Sequence, residues 1–296
     1  GSIKLGTSNA LDWVFSSINV RPGANWELGP DEVIKIRDLG ITVNGTLHTN
    51  TTADHPVVFT SLADNEYGYP VGSGAPYKGA WEGIKIESGG TAILDHAIIR
   101  YGGKNQYTYD ALVRVYEGGS LTLTNSLLEY SEVHGVWVDG VETQAILNNT
   151  ISDCNSFGIY VLDNSSNEIP LSPEIRGNVI NNCNTPIVLS SGSYTGEFRI
   201  TDNSGTGNTK NYISMPSFLV GSIKLGTSNA LDWVFSSIYI RPGANWELGP
   251  DEVIKVRDSG VEVYGTLHTN TTADHPVVFT SLADNEYGYP IGSGSP

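Results

Sequence analysis

Short apolar–x–apolar runs recur through the middle of the chain, which is the pattern of a β-strand with one buried face. The first residues of these runs are separated by 29, 23, 23 and 28 residues. The runs are Ile84/Ile86, Val113/Val115, Val136/Val138, Ile159/Val161 and Ile187/Leu189. A second set, AIIRY, SLLEY, NTISD and NVINN, begins at residues 97, 126, 149 and 178 and keeps the same rhythm. Because two separate strands share one step, each step predicts one coil of a solenoid, about 23–29 residues long.

Coils that stack in parallel register place equivalent side chains in columns. Cys154 in SDCNS and Cys183 in NNCNT fall at the same place on successive coils. We expect a buried column of small residues there rather than a catalytic thiol, since a free cysteine behaves as a small hydrophobe. Asn149 and Asn178 also share one position, and asparagine side chains at turns hydrogen-bond to neighbouring backbone.

A long repeat encloses this region. Residues 221–296 repeat residues 1–76 with identity at 67 of 76 positions, so the chain divides into one complete unit, residues 1–220, and the start of the next, residues 221–296. Where ITVNG at residue 41 becomes VEVYG at residue 261, the pattern predicts a strand with residues 41 and 43 buried and residues 42 and 44 outward. Other changes of about one methyl group suit a close-packed core; they are Val20/Ile240, Ile36/Val256 and Val71/Ile291.

Composition narrows the class of protein. Short strand-like runs alternate with turns rich in Gly, Asn and Asp, and no helical periodicity is present, so the fold class is all-β. The formal net charge of −16 argues against nucleic acid and anionic membranes as partners. The sequence contains no apolar run of about 18 residues, the length that would predict a membrane-spanning helix. The two cysteines are too few for a disulfide framework and do not resemble a zinc site.

Two stretches, together with the coils that follow them, carry a family pattern: ITVNGTLHTNTTADHPVVFTS from residue 41 and WEGIKIESGGTAILDHAIIRYGG from residue 81. Here the chain resembles the right-handed parallel β-helix proteins, a fold shared by pectate lyases and many secreted repeat proteins. The resemblance implies a right-handed parallel β-helix (β-solenoid) in tandem 220-residue units, in an extracellular or cell-surface location. It implies little about activity, because the same coil serves lyases, hydrolases, adhesins and passive stalks.

The outward positions of the first strand set form a lane of cations and aromatic residues. In chain order they are Lys85, Arg114, Trp137, Tyr160 and Val188. A cation can stack on an aromatic ring of the next strand, for about 0.5–1 kcal/mol when exposed, and such a lane could also bind sugar rings. The simpler interpretation is a decorated solvent face that hinders lateral sheet pairing.

Polysaccharide lyases and hydrolases with this fold use clustered carboxylates, often with calcium or with a nearby arginine or lysine. The candidates at the end of the first strand set are Glu87, Glu117, Asp139, Asp163 and His134. Adjacent coils could bring Glu117 and Asp139 within the roughly 5–10 Å that a paired acid and base require. The dense aspartate cluster of those enzymes is not found in the sequence. We therefore assign no catalytic residue and expect a protein that is not an enzyme.

The loop LADNEYGYP offers hard oxygen donors, which suit calcium. The candidate ligands are Asp64, Asn65 and Glu66, with their counterparts Asp284, Asn285 and Glu286. The alternative is a turn in which Asp and Asn bond their own backbone. No cofactor other than calcium is expected.

Glycosylation sequons occur at Asn44, Asn50, Asn148, Asn164 and Asn270. Asn50 and its copy Asn270 lie in the same predicted turn, which should be exposed. They are the first candidates for glycosylation if the source glycosylates asparagine. Asn44 becomes Tyr264 in the second copy, so no sugar is required there.

The ends of a β-helix expose unpaired backbone groups and apolar core, and they aggregate unless covered. The last regular coil runs through NYISMPSFLV straight into the next unit, so tandem continuation would cover each unit. We therefore expect a non-catalytic extracellular structural protein, such as a filament, stalk or adhesin shaft. Its expected partner is itself, end to end through neighbouring units, with surface glycans as a further class. The alternative is a module that binds or degrades polysaccharide through the lane from Lys85 to Tyr160.

Overall fold

The computed structural model describes residues 1–5, 12–105, 110–140, 144–162, 173–190, 196–216, 222–225 and 230–288, which form β-strands joined by turns and loops, without a helix. The first coils contain β1 (Ile3–Leu5), β2 (Trp13–Phe15), β3 (Ile18–Val20), β4 (Asn25–Leu28), β5 (Val33–Ile36), β6 (Ile41–Val43), β7 (Thr46–Thr49) and β8 (Val57–Ser61). The central coils contain β9 (Ile84–Ile86), β10 (Thr91–Asp95), β11 (Ala97–Arg100), β12 (Ala111–Val115), β13 (Ser120–Thr124), β14 (Leu127–Glu129), β15 (His134–Asp139), β16 (Ala145–Leu147), β17 (Thr150–Ser152), β18 (Phe157–Leu162), β19 (Glu174–Arg176), β20 (Val179–Asn181) and β21 (Thr185–Ser190). The last coils contain β22 (Gly196–Thr201), β23 (Tyr212–Met215), β24 (Ile223–Leu225), β25 (Asp232–Phe235), β26 (Ile238–Ile240), β27 (Asn245–Leu248), β28 (Val253–Val256), β29 (Val261–Val263), β30 (Thr266–Thr269) and β31 (Val278–Ser281).

From β1 to β21, successive strands belong in turn to three parallel sheets. Sheet 1 has the order β1-β4-β7-β10-β13-β16-β19-β22-β24-β27-β30. Sheet 2 has the order β2-β5-β8-β11-β14-β17-β20, and sheet 3 the order β3-β6-β9-β12-β15-β18-β21-β23-β25-β28-β31. Neighbouring strands run parallel and enclose one hydrophobic core. The predicted all-β parallel solenoid is confirmed.

The predicted columns are present in sheets 2 and 3. Val113 pairs with Ile84 on one side and Val136 on the other, and Ile159 follows. All four side chains are fully buried. The second predicted set pairs in the same way to form sheet 2. The coil steps read from the sequence are therefore confirmed.

Sheet 1 of the central coils is not evident from the sequence pattern. Its inward column is fully buried and keeps the same steps; it contains Leu94, Leu123, Ile146 and Ile175. The short strands β16 and β19 each bury one residue only. β10 and β13 each bury two alternating residues, so the apolar pairs stop at β16 and do not run through all the central coils.

Single residues with left-handed backbone form the corner between sheets 1 and 2. His96, Asn125 and Asn148 have φ values of 48°, 50° and 57°. Asn tolerates this region better than most residues. One coil after Asn148, the corner residue is Gly177 with φ 67°, and an added Cβ would lie 2.3 Å from Asn148 Oδ1. A larger residue at this corner would therefore require the Asn148 side chain to move.

A buried polar ladder runs along the same corner. Asn149 Oδ1 accepts the backbone N–H of Ser126 at 2.9 Å. In the same way Asn178 Oδ1 accepts from Asn149 at 3.0 Å, and Asn203 Oδ1 accepts from Asn178 at 3.1 Å. The predicted register of Asn149 and Asn178 is confirmed, and Asn203 extends the ladder by one coil.

Cys154 and Cys183 share one column, each two residues beyond the paired Ser152 and Asn181. Both are free and buried. The hydrogen bond with Cys183, followed by burial, raises the pKa of the Cys154 thiol. The predicted buried column is therefore confirmed.

The differences that were assigned to the core or to the outer face divide as predicted in the first copy, with one exception. Ile41 and Val43 are fully buried, whereas Thr42 and Asn44 lie on the outer face and are half-buried. The core assignment of Val71 is wrong. Its side chain is 45% exposed in the loop after β8, where an exchange for isoleucine meets no packing constraint.

The two copies join different sheets. Strands β2, β5 and β8 lie in sheet 2, whereas their counterparts β25, β28 and β31 extend sheet 3 from β23. The counterparts of β3 and β6, which are β26 and β29, form a separate two-stranded sheet. β24 continues sheet 1 from β22. Strand pairing and core therefore continue across the boundary between residues 1–220 and 221–296, without a break in the core.

Candidate functional site

The lane of cations and aromatic residues is assembled on sheet 3 in the predicted register. Arg114 on β12 lies opposite Lys85 on β9 and Trp137 on β15. Tyr160 on β18 lies beside Trp137, and Val188 follows on β21. The stacking of coils thus brings residues from five coils onto one face.

Trp137 is buried within this lane, with 2% of its surface accessible. The Arg114 guanidinium lies 4.6 Å from the centre of the Trp137 ring, and Tyr160 meets the ring nearly perpendicularly at 4.9 Å. The indole N–H donates to the Asp139 carboxylate. The interpretation of the lane as a solvent face is therefore wrong at Trp137. A sugar could not stack on this ring without displacing the protein groups that cover it.

His134 belongs to the same aromatic cluster. Its ring stacks on Phe157 at 5.0 Å and on Tyr160 at 5.3 Å, and its Nδ1 accepts the backbone N–H of Phe157 at 3.2 Å. Burial, and then the positive charge of Arg114, lowers the pKa of His134 to about 4. The imidazole is therefore neutral at pH 7 and fixed by packing.

The charged groups of the lane are paired with one another. Lys85 Nζ lies 2.9 Å from the Glu82 carboxylate, and Arg114 lies 3.0 Å from Asp139. Asp110 lies between the two cations, 3.9 Å from Lys85 and 3.8 Å from Arg114. The lane is therefore a network of compensated charges rather than a row of isolated cations.

The other catalytic candidates that the structure describes do not form an acid–base pair. Glu117 is exposed beside the end of β15, where an added Cβ on Gly140 would lie 3.4 Å from Glu117 Cγ. Asp139 directly precedes Gly140 in the chain, but its carboxylate is engaged by the Arg114 guanidinium and the Trp137 indole. Glu87 is half-buried at the end of β9. Asp163 lies outside the described residues.

A fully buried lysine anchors the loop that was predicted to bind calcium. Lys35 Nζ donates to the backbone carbonyls of Asp64 at 2.7 Å and Tyr69 at 2.6 Å. It also lies 3.3 Å from the Asp12 carboxylate, which accepts the Tyr69 N–H at 2.7 Å. In the second copy Lys255 repeats the contacts with the Asp284 carbonyl and the Asp232 carboxylate. The lysine thus ties the loop to the coil beneath it.

Arg100 provides a second buried cation under this loop. Its guanidinium lies 2.8 Å from Glu66 and 3.0 Å from Glu129. Three tyrosine rings surround it at 4.7–5.5 Å; they are Tyr67, Tyr101 and Tyr130. Neither Arg100 nor Lys35 is singled out by the sequence pattern, because both occupy ordinary outward positions of strand-like runs.

The acids of the loop are therefore held by protein groups. The Asp64 carboxylate accepts the Thr60 hydroxyl at 2.6 Å and the Glu66 N–H at 3.1 Å, as expected for the backbone-bonded turn. Among the described residues, no group of three or more His, Cys, Asp or Glu side chains is arranged to hold a metal ion. Calcium at Asp64, Asn65 and Glu66, or at Asp284, Asn285 and Glu286, stays a prediction without geometric support.

The sequons differ in accessibility. Asn50 and Asn270 are exposed in equivalent turns, and Asn148 is exposed at a left-handed corner. Asn44 is half-buried and hydrogen-bonded to the preceding coil. Asn164 lies outside the described residues. Glycosylation of these sites stays a prediction.

The N-terminal end of the solenoid carries an apolar cavity of about 290 Å³. Its lining includes Trp13 and Phe15 of β2, Ile18 of β3 and Trp26 of β4. Trp26 belongs to the hydrophobic core, and the other three side chains pack against it. The cavity is therefore part of the core rather than a separate site.

Comparison with known proteins supports the fold. Residues 77–217 match the family model described as "Right handed beta helix region". This match confirms the resemblance to right-handed β-helix proteins that was drawn from the sequence. Searches of curated proteins and of solved structures gave no match. In the part of the chain that the structure describes, no helix has the length and apolar character that crossing a membrane requires.

Proposed function

We propose that this chain is part of a non-catalytic structural protein outside the cell or at its surface, where successive units form a filament, stalk or adhesin shaft. The observation that carries the proposal is the continuity between units. β22 pairs with β24 and β23 with β25, so these strands of the second copy stack directly on strands of the first. Each unit supplies the surface on which the next one folds.

Stiffness follows from this arrangement. Each coil adds about 4.8 Å along the axis, and every layer is joined to the next by parallel hydrogen bonds in up to three sheets. Inward columns of Val, Ile and Leu fill the axis without an interruption. A solenoid of this type stabilises each repeat through its neighbours, which suits a long and rigid spacer.

The candidate chemistry agrees better with a structural role than with turnover. The cations of the lane are paired with carboxylates, and the pKa of His134, lowered to about 4, leaves the imidazole neutral at pH 7. A general base that works near neutral pH needs a pKa close to 7.

Polysaccharide binding is the second candidate, favoured by one observation. Arg114 stacks on Tyr116 at 4.2 Å and on Trp137 at 4.6 Å, with Lys85 on the adjacent coil. Cations and aromatic rings in register could follow an acidic sugar chain along the axis. The burial of Trp137 limits the surface available for such contacts.

Electron microscopy of the native material tests the primary proposal. Unbranched rods longer than one unit are expected, and compact particles of a single unit would contradict it.

Incubation with acidic and neutral polysaccharides tests the second proposal. We expect no cleavage. Turnover that is lost in a Glu117→Ala/Asp139→Ala variant would instead identify an enzyme.

A further inference from the structure

The two cysteines of the chain lie opposite each other on adjacent coils. Ser152 of β17 pairs with Asn181 of β20, and Cys154 and Cys183 each follow by two residues. Just beyond the cysteines the same two coils are paired again, through β18 and β21. Parallel strands stack about 4.8 Å apart, which lies within the range of about 4.4–6.8 Å that the Cα atoms of a disulfide span. The backbone spacing therefore permits a bond between the two sulfurs.

The two thiols have the same orientation. Cys154 Sγ donates to the Ser152 carbonyl at 3.6 Å, and Cys183 Sγ donates to the Asn181 carbonyl at 3.3 Å, so each bonds the backbone two residues before it. Both side chains are buried, and a hydrogen bond joins one thiol to the other. The sulfurs therefore occupy one column with no other side chain between them.

The contact makes the two thiols chemically unequal. The hydrogen bond with Cys154 lowers the pKa of the Cys183 thiol, and burial opposes that shift. The same hydrogen bond, followed by burial, raises the pKa of Cys154. Cys183 is therefore the thiol that ionises first, and the thiolate is the form that attacks a disulfide.

We propose that Cys154 and Cys183 are a cross-linking site, where a small disulfide oxidant converts the two stacked thiols into one disulfide between adjacent coils. The inference rests on the proposed function for the source of the oxidant, since oxidising conditions are found outside the cell. The bond closes a loop of chain that contains β18, β19 and β20. It joins two layers of the solenoid covalently in the middle of the first unit.

The oxidation proceeds by thiol–disulfide exchange. The Cys183 thiolate attacks one sulfur of the oxidant, whose S–S bond breaks, and one small thiolate leaves. Cys154 then loses its proton and attacks Cys183 Sγ, which releases the second small thiolate. Two protein S–H bonds are lost, one protein S–S bond is formed, and one small disulfide is reduced to two thiols.

Access to the thiols requires only a local opening of one corner. Asn155 and Asn182, which follow Cys154 and precede Cys183, are exposed. The column therefore lies directly beneath the surface at the turn between sheets 2 and 3. Turns of this kind open locally far more often than the whole chain unfolds.

The test oxidises the folded full chain. The protein is incubated with oxidised glutathione at mildly alkaline pH, with and without a sub-denaturing concentration of urea that promotes local opening. Free thiols are then alkylated in denaturant, and intact mass and peptide maps are measured. We expect a chain lighter by two hydrogen atoms, without alkylation, in which the peptides of Cys154 and Cys183 are linked. The midpoint of thermal unfolding should rise by on the order of 5 °C relative to the reduced chain.

Three results would overturn the proposal. The first is a chain with two alkylated thiols after both incubations. The second is glutathione that stays attached to either cysteine, because the second thiol should displace it. The third is a linked chain that unfolds at the same temperature as the reduced chain or at a lower one, because such a link would not hold the coils as they stack here.

The same column supplies a matched control. Ser131 lies one coil before Cys154, since Glu129 pairs with Ser152, and it is fully buried. A serine therefore fits the column, and Cys154→Ser should retain the circular dichroism of the native chain with one free thiol. Adding Ser131→Cys to this variant places the thiols two layers apart, about 9.6 Å, which a disulfide cannot span. No link is expected there. A link in that variant would mean that thiols meet without the stacking described, and it would overturn the proposal.

The native material separates this inference from the proposed function. Rods whose two cysteines stay reduced under oxidising conditions would overturn the cross-link and leave the structural role standing. Compact single units with Cys154 linked to Cys183 would support the cross-link and contradict the structural role.

Discussion

The two copies of the repeated segment teach that a coil's environment comes from its neighbours. Phe59 of the first copy is fully buried by the coil that follows, whereas its counterpart Phe279 is 39% exposed. Val43 is fully buried, whereas Val263 is 45% exposed. Nearly the same residues are therefore core in one place and surface in the other. What a coil contributes to stability depends on whether another coil lies on it.

One contact has nearly the same geometry in both copies. The buried lysine lies 3.3 Å from its aspartate in the first copy and 3.2 Å in the second, between Lys35 and Asp12 and between Lys255 and Asp232. The difference lies in the loop above it, because Arg100 of the following coil reaches Glu66 in the first copy. In the second copy the described residues end at 288, and Glu286 is exposed.

The largest expected effect is the loss of unfolding free energy when the buried lysine is replaced, and it should differ between the two copies. Lys35→Met leaves Asp12 buried without its counter-charge, which should cost about 4 kcal/mol of unfolding free energy. Lys255→Met removes the same contact beneath a loop whose Glu286 is exposed, and it should cost about half as much. Chemical denaturation with proteolysis of the loop after β8 measures both. Equal losses in the two variants would show that the following coil adds nothing to the anchor.

The second prediction concerns the phenylalanine pair. Phe59→Ala should cost about 3 kcal/mol because it opens a cavity in a closed core. Phe279→Ala should cost less than about 1 kcal/mol, because that ring already faces solvent. Amide hydrogen exchange on β8 and β31 measures each effect locally. Similar losses at the two sites would mean that the end of the second copy is covered in solution.

The third prediction uses the pH. Burial raises the pKa of Glu252 to about 7, and the Trp233 indole N–H, which donates to it, partly opposes that shift. The nearby Asp251 raises it further. Since the folded-state pKa lies above the unfolded value of 4.5, the folded second copy gains stability as the pH falls from about 7 toward 4.5. The gain should be on the order of 2 kcal/mol.

Hydrogen exchange of β25 and β28 between pH 8 and pH 5, corrected for the intrinsic exchange rate, follows this gain. Glu252→Gln should abolish the pH dependence in the second copy. Glu32→Gln, the matched change in the first copy, should leave it in place. A dependence that survives Glu252→Gln would assign it to another group.

The smallest expected effect concerns a pair that the copies exchange together. Asn44 donates to Asn19 at 3.3 Å in the first copy, whereas Tyr264 contacts Tyr239 ring to ring at 5.1 Å in the second. Converting both tyrosines to asparagine should reveal a coupling of about 0.5 kcal/mol in a double-mutant cycle. Additive single effects would mean that the two exchanges are independent.

The sequence predicts the coils where a strand buries two residues of an alternating run, as at Val113 and Val115. It does not reveal sheet 1 throughout the central coils, because the alternation of β10 and β13 is lost at β16 and β19, which bury one residue each. The burial of Trp137 depends on side chains from other coils and on the groups around the lane, which no local pattern records. The anchoring roles of Lys35 and Arg100 arise from contacts between residues far apart in the chain. Alternation predicts which face a residue occupies, but not what lies on that face.

The asparagine ladder has a consequence for how so repetitive a chain finds its winding. Coils of similar length and apolar content could mispair with the wrong layer during folding, a known hazard of repeat proteins. If one coil paired with the wrong layer, Asn178 would lose its hydrogen bond to Asn203. Buried amide groups would then lack partners, at a cost of roughly 1–3 kcal/mol for each unsatisfied group. The ladder lies in the central and last coils of the first unit, outside the duplicated segment. The ladder therefore fixes the order in which the coils between the two copies of the repeated segment stack, although the copies themselves are nearly identical in sequence.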